Sequence, residues 1–126
     1  MTLKEFLLGR NITDIEEVTV IEGQEPFKIK PVTNKQLDDI TKQCTKVKDG
    51  EVIFNTRKQN LLFIVDNCVE PDFRDAEFLK QLNCVDPMEA VEKVLKAGEI
   101  ATLVKKISEI SGFDTGINKK IKLAKN

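Results

Sequence analysis

Residues 86–113, DPMEAVEKVLKAGEIATLVKKISEISGF, decide how this chain folds. Asp86 offers a side-chain oxygen to the free N–H groups of a helix start, and Pro87 suits the first helical position because its missing N–H would be unsatisfied there anyway. Glu89, three residues after the cap, can reach back to the cap backbone. Met88, Val91, Val94 and Leu95 then recur at helical spacing, Gly98 interrupts, and Ile100, Leu103, Val104, Ile107 and Ile110 form a second stripe. That stripe stops at Gly112, a residue suited to the left-handed position just past a helix. The stretch reads as two amphipathic helices that meet at Gly98, each with an apolar face that must be covered.

The cover is expected from a helix over roughly Arg57 to Val69. Leu61, Leu62, Phe63, Ile64, Val65, Cys68 and Val69 leave it apolar over most of its circumference, the pattern of a central buried helix. Thr56 with Gln59 reads as its capping signal, and Glu70-Pro71 stops it. Thr33 with Gln36 opens an earlier helix whose inward face carries Leu37, Ile40 and Cys44. A short helix with Phe78, Leu79 and Leu82 follows the turn at Asp72 to Asp75. At the N-terminus, Thr2 and Glu5 cap one or two turns bearing Leu3, Phe6 and Leu7 and ended by Gly9. A helix this short is marginal in water and must dock on the domain or on a partner.

Between these helices the hydrophobic period changes to two. Val18 and Val20, a turn through Glu22-Gly23-Gln24-Glu25-Pro26, and Phe27 and Ile29 alternating with lysines predict an antiparallel hairpin of Glu17–Ile21 with Phe27–Pro31. Two strands are not stable alone, so Val52-Ile53-Phe54 is a candidate third strand. Thr45 to Glu51, rich in lysine and containing Asp49-Gly50, reads as an exposed loop. The fold class is α+β and mainly α: a small antiparallel hairpin or three-stranded sheet with a cluster of four to six helices. At 126 residues one domain suffices, with residues 1–10 as a short N-terminal helix and 115–126 as a flexible basic tail.

Composition limits the chemistry. His, Trp and Tyr are absent, which removes the commonest general base near neutral pH and leaves Phe as the aromatic anchor. Cys44, Cys68 and Cys84 are widely spaced, with no CxxC pair and no His to complete a zinc site, so buried free thiols are expected and no metal or other cofactor. Asp38-Asp39 and Glu16-Glu17 sit on solvated segments with no phosphate-cradling Gly-rich loop nearby, and Ser108 and Ser111 read as surface positions without a base. No catalytic residue is predicted. A net charge of −1 argues against nucleic acid as a specific partner despite the lysines of the tail. No run approaches ~18 apolar residues and the N-terminus is not a signal peptide, so no membrane association and a cytoplasmic location are expected.

Taken in order, several features resemble the XkdN-like tail assembly chaperones of phages and prophages of Gram-positive bacteria. They are the N-terminal helix with Leu3, Phe6 and Leu7; FKIKPVTNKQLDDITKQCTK from Phe27 to Lys46; Phe54-Asn55 before the central helix; NCVEPDFRDAEFLKQLNCVDPMEAVEKVL from Asn67 to Leu95; and KAGEIATLVKKISEISGFD from Lys96 to Asp114. The resemblance spans nearly the whole chain. It implies a non-enzymatic assembly factor of the host cytoplasm whose partners are the tape measure protein and the tail tube protein, with homo-oligomerisation left open. It carries one alternative, a structural tail or neck component retained in the virion. A chaperone of an amphipathic helical client needs apolar surface that can be covered. Phe73 and Phe113, aromatic residues beside turns, and Leu3 and Phe6, on the marginal first helix, are the candidate partner-binding residues, set against the plainer reading that all four pack within the chain.

Overall fold

The computed structural model describes residues 1–113. Within these residues six helices and five short strands follow one another as α1 (Leu3–Leu8), β1 (Glu16–Val18), β2 (Phe27–Ile29), α2 (Asn34–Cys44), β3 (Thr45–Lys48), β4 (Glu51–Phe54), α3 (Thr56–Asn67), β5 (Cys68–Glu70), α4 (Ala76–Gln81), α5 (Pro87–Val94) and α6 (Ala97–Ile110). The class is α+β, mainly α, as the periodicities indicate.

Helix α3 is the axis of the core. It packs against α2, α5 and α6, and Leu61, Leu62, Phe63, Ile64 and Val65 are buried in succession, so the helix is enclosed all round. One cluster gathers Leu61, Ile64 and Val65 with Phe27, Ile29, Phe73, Val91, Leu103 and Ile107. A second lies on the opposite side, where Leu62 and Phe63 meet Ile40 and Cys44 of α2. The apolar stripes of α5 and α6 are the lid on the first cluster.

Several boundaries differ from the sequence reading, each for a local reason. Asn55, not Thr56, caps α3, its Oδ1 accepting from the Lys58 N–H at 3.0 Å. The helix ends at Asn67 rather than Val69, because Cys68–Glu70 turns extended and pairs antiparallel with β2. Its ladder is joined by the Lys30 N–H, which donates to the Asn67 carbonyl at 2.9 Å. The three-stranded sheet therefore has the order β1-β2-β5, and β1 and β2 are shorter than the Glu17–Ile21 and Phe27–Pro31 strands expected. Residues 52–54 are not its third strand. They form β4, which pairs with β3 in a separate hairpin, so Thr45 to Glu51 is a strand and turn rather than a loop. The break between α5 and α6 falls at Leu95 and Lys96, both extended, and Gly98 lies inside the first turn of α6. There the Lys96 N–H donates to Glu99 Oε1 at 2.8 Å, which anchors the new helix start.

The end of α6 conforms to expectation and adds a tie. Gly112 is left-handed (φ 81°), the Phe113 N–H donates to the Ser108 carbonyl and the Gly112 N–H to that of Glu109, the paired bonds of a Schellman motif. Ser111 is not an idle surface residue: its Oγ accepts from the Val32 N–H at 2.8 Å and donates to the Ile107 carbonyl at 2.6 Å. Ser108 is buried as well. The basic segment 115–126 lies outside the described residues.

Candidate partner-binding surfaces

The first helix is fully formed yet covered by no other element among the described residues. Thr2 and Glu5 make the expected capping box, with the Glu5 N–H donating to Thr2 Oγ1 and the Thr2 N–H to Glu5 Oε1, each at 3.2 Å. No residue of α1 is buried: Leu3 is 72% and Phe6 49% exposed, and Leu7 and Leu8 are exposed beside them. Arg10 shields part of it, its guanidinium lying 5.7 Å from the Phe6 ring centre. Six residues cannot hold a helix by backbone bonds alone, and among the described residues this one has no docking face.

The β3–β4 hairpin is the second uncovered element, and the sequence reading missed it as a surface. Asp49 and Gly50 both have positive φ (53° and 79°), the type I′ geometry that closes two-residue hairpins. Val47 stands opposite Val52 and Thr45 opposite Phe54, so these four share one face, while Lys46, Lys48, Glu51 and Ile53 share the other. Val47 is 69% and Val52 71% exposed, and Phe54 and Ile53 are exposed too. The hairpin thus presents an apolar face with a lysine-bearing back, attached directly to the ends of α2 and α3 by the Asn55 N–H, which donates to the Cys44 carbonyl at 2.8 Å. The Asp-Gly dipeptide between Val47 and Val52 was the signal that could have identified it.

The four residues singled out from sequence do not form one site. Leu3 and Phe6 sit together on α1. Phe73 is corrected: it is fully buried, 5.8 Å from the ring of Phe78, because the Asp72 side chain accepts from the Arg74 N–H at 2.9 Å and the resulting turn directs the ring inward. Phe113 is half-buried and stacks on Phe63 at 6.0 Å, closing the second cluster.

The thiols are core groups. Burial, aided by Glu70 and Asp72, pushes the Cys68 thiol up to about 12, and burial raises that of Cys44 against the opposing effect of Lys58. A thiol held protonated in the core is a poor nucleophile at neutral pH. Among the described residues no group of three His, Cys, Asp or Glu side chains is placed to hold a metal ion, and no helix is long and apolar enough to cross a membrane.

Comparison with known proteins converges on one family. The model of the phage XkdN-like tail assembly chaperone protein family matches residues 3–125. The phage-like element PBSX protein XkdN of Bacillus subtilis (strain 168) is 29% identical over an alignment covering 98% of this chain and 93% of that protein. The protein YqbN of the same organism is 30% identical with the same coverage. A crystal structure of YqbN superimposes with a TM-score of 0.70 at 28% identity, covering 90% of this chain and 98% of the other.

Proposed function

Because the chain belongs to the phage XkdN-like tail assembly chaperone family, we propose that it acts in the host cytoplasm as a non-enzymatic chaperone that binds the tape measure protein and assists tail tube assembly around it. The observation that carries this reading is the hairpin face of Val47, Val52 and Phe54, with α1 as a second uncovered apolar element. A long helical client exposes apolar stripes until the tube encloses it. A flat apolar strip of β-branched and aromatic residues covers such a stripe, while Lys46 and Lys48 on the reverse side and edge of the hairpin oppose strand-to-strand self-association. Both elements stand clear of the core, so they can engage a partner without disturbing it.

The test is co-expression with the tape measure protein. The wild-type chain keeps that protein in the soluble fraction and co-purifies with it; insolubility without co-purification overturns the proposal. A V47T/V52T/F54S variant retains its helical circular dichroism, since the altered side chains are exposed, but captures much less client. Undiminished capture by that variant moves the binding surface away from the hairpin. Mass spectrometry of purified virions finds no abundant peptides of the chain, whereas abundant peptides identify a retained structural component instead.

A further inference from the structure

We propose that the groove between residues 10–16 and the C-terminal end of α6 is the docking site for the chain's own segment 115–126. The groove encloses about 680 Å³ and is bounded by the N-terminal arm, the linker after β2 and residues 109–112. Its lining combines apolar side chains, Ile12, Ile15 and Ile110, with the carboxylates of Asp14, Glu16 and Glu109. Ile12 and Ile15 are exposed as the structure stands. None of the three carboxylates has an ion-pair partner among the described residues; the ion pairs there are Lys42–Asp38, Arg57–Glu92 and Arg74–Asp66. The basic residue lining the groove, Arg10, is turned to the ring of Phe6.

The end of α6 adds to the negative potential. Fourteen aligned peptide dipoles finish at this groove, and the last turn holds no basic residue to answer them. The missing charge is next in the chain. Residues 114–126 contain four lysines and one aspartate, whereas residues 1–113 contain sixteen basic against twenty acidic residues. Ile117, Ile121 and Leu123 intersperse the lysines, matching the mixed lining. Distance poses no obstacle, since Gly112 itself lines the groove and thirteen residues span up to roughly 40 Å. Docking there covers Ile12 and Ile15 and pairs Asp14, Glu16 and Glu109 with lysine. This inference does not depend on the client being the tape measure protein.

Amide hydrogen exchange followed by nuclear magnetic resonance on the full chain tests it. In the wild type at about 0.1 M salt, the amides of Ile12, Ile15 and Gly112 exchange on the order of tenfold more slowly than in a K119E/K120E/K122E/K125E variant, the ratio that three exposed ion pairs supply together. A D14N/E16Q/E109Q variant shows the same loss of protection, and so does the wild type at 1 M salt, where the screening length falls from about 10 Å to about 3 Å. Equal exchange at these amides in wild type and both variants overturns the proposal. So does protection that rises with protein concentration, which places the segment in a second copy, or protection that appears only when a partner protein is added.

Discussion

Substituting Ser111 by Ala isolates one bond that joins residues 79 positions apart. Ser111 Oγ is the acceptor of the Val32 N–H, and nothing else in the linker after β2 replaces it. Leaving a buried donor without a partner costs about 1–3 kcal/mol; Val32 is half-buried, so water recovers part and about 1–2 kcal/mol is expected. The second bond of the same hydroxyl, to the Ile107 carbonyl, contributes little, because it only shares an acceptor already used by the helix. Thr102 supplies the control: its Oγ1 donates to the Gly98 carbonyl four residues back, at 2.9 Å, and accepts from no distant group. Urea unfolding should therefore place Ser111→Ala roughly 0.5–1 M below wild type in midpoint, with a slope near 2 kcal/mol/M. Thr102→Ala should stay within about 0.5 kcal/mol of wild type. Amide exchange gives an independent reading, since the Val32 N–H should exchange on the order of tenfold faster in the Ser111 variant. If both variants unfold at the same midpoint and the Val32 amide is unchanged, the hydroxyl does not hold the linker and the reasoning is wrong.

Three further outcomes can be checked by the same unfolding assay. Phe73→Ala should cost about 3–5 kcal/mol, the range for emptying a fully buried aromatic site; a stable variant that loses client capture would return Phe73 to the binding surface. The glycines should split in sign. Gly98→Ala places a Cβ in open space in the first turn of a helix and should stabilise by about 0.4–1 kcal/mol, whereas Gly112→Ala, also in open space but at φ 81°, should destabilise by about 1–2 kcal/mol. A common sign would disprove the helix boundaries given above. Cys68 adds a pH dependence. Its folded thiol is raised from 9.0 to about 12, so its contribution is intact below pH 9 and is lost as pH rises toward 12. The stability gap between wild type and Cys68→Ala should narrow by about 2–3 kcal/mol between pH 8 and pH 11, and parallel curves would show the thiol to be solvated.

Local signals were legible wherever one residue satisfies its neighbours. Thr2, Thr33 and Asp86 cap helices as their side chains suggest, and Gly112 ends one, because each of these bonds spans only two to five positions. The uninterrupted apolar run of α3 likewise announced a helix enclosed on all sides. Strand pairing was less legible. Cys68–Glu70 is short and follows a helix without a break, so nothing local distinguishes a last helical turn from a strand; the pairing with β2 decides. Gly98 looked like a break because glycine weakens helices, yet the Lys96–Glu99 contact starts the helix before it. Of the candidate partner residues, exposure separates Leu3 and Phe6 from Phe73, and that separation depends on which way a turn faces.

By itself, the sequence determined the class of the molecule, a cluster of four to six helices, the central place of α3 and the family resemblance, since periodicity and capping act over one or two helical turns. Only the tertiary structure decided which apolar residues remain uncovered. Val52 and Val91 are equally apolar in sequence, but one stands exposed on a hairpin tied to the core only at its base and the other is fully buried beneath α3. Residues 86–113 needed a cover and found it in the core, whereas α1 and the apolar face of the β3–β4 hairpin found none among the described residues. Burial is a relation between distant segments, and it is the uncovered remainder, not the motif, that offers a surface to a partner.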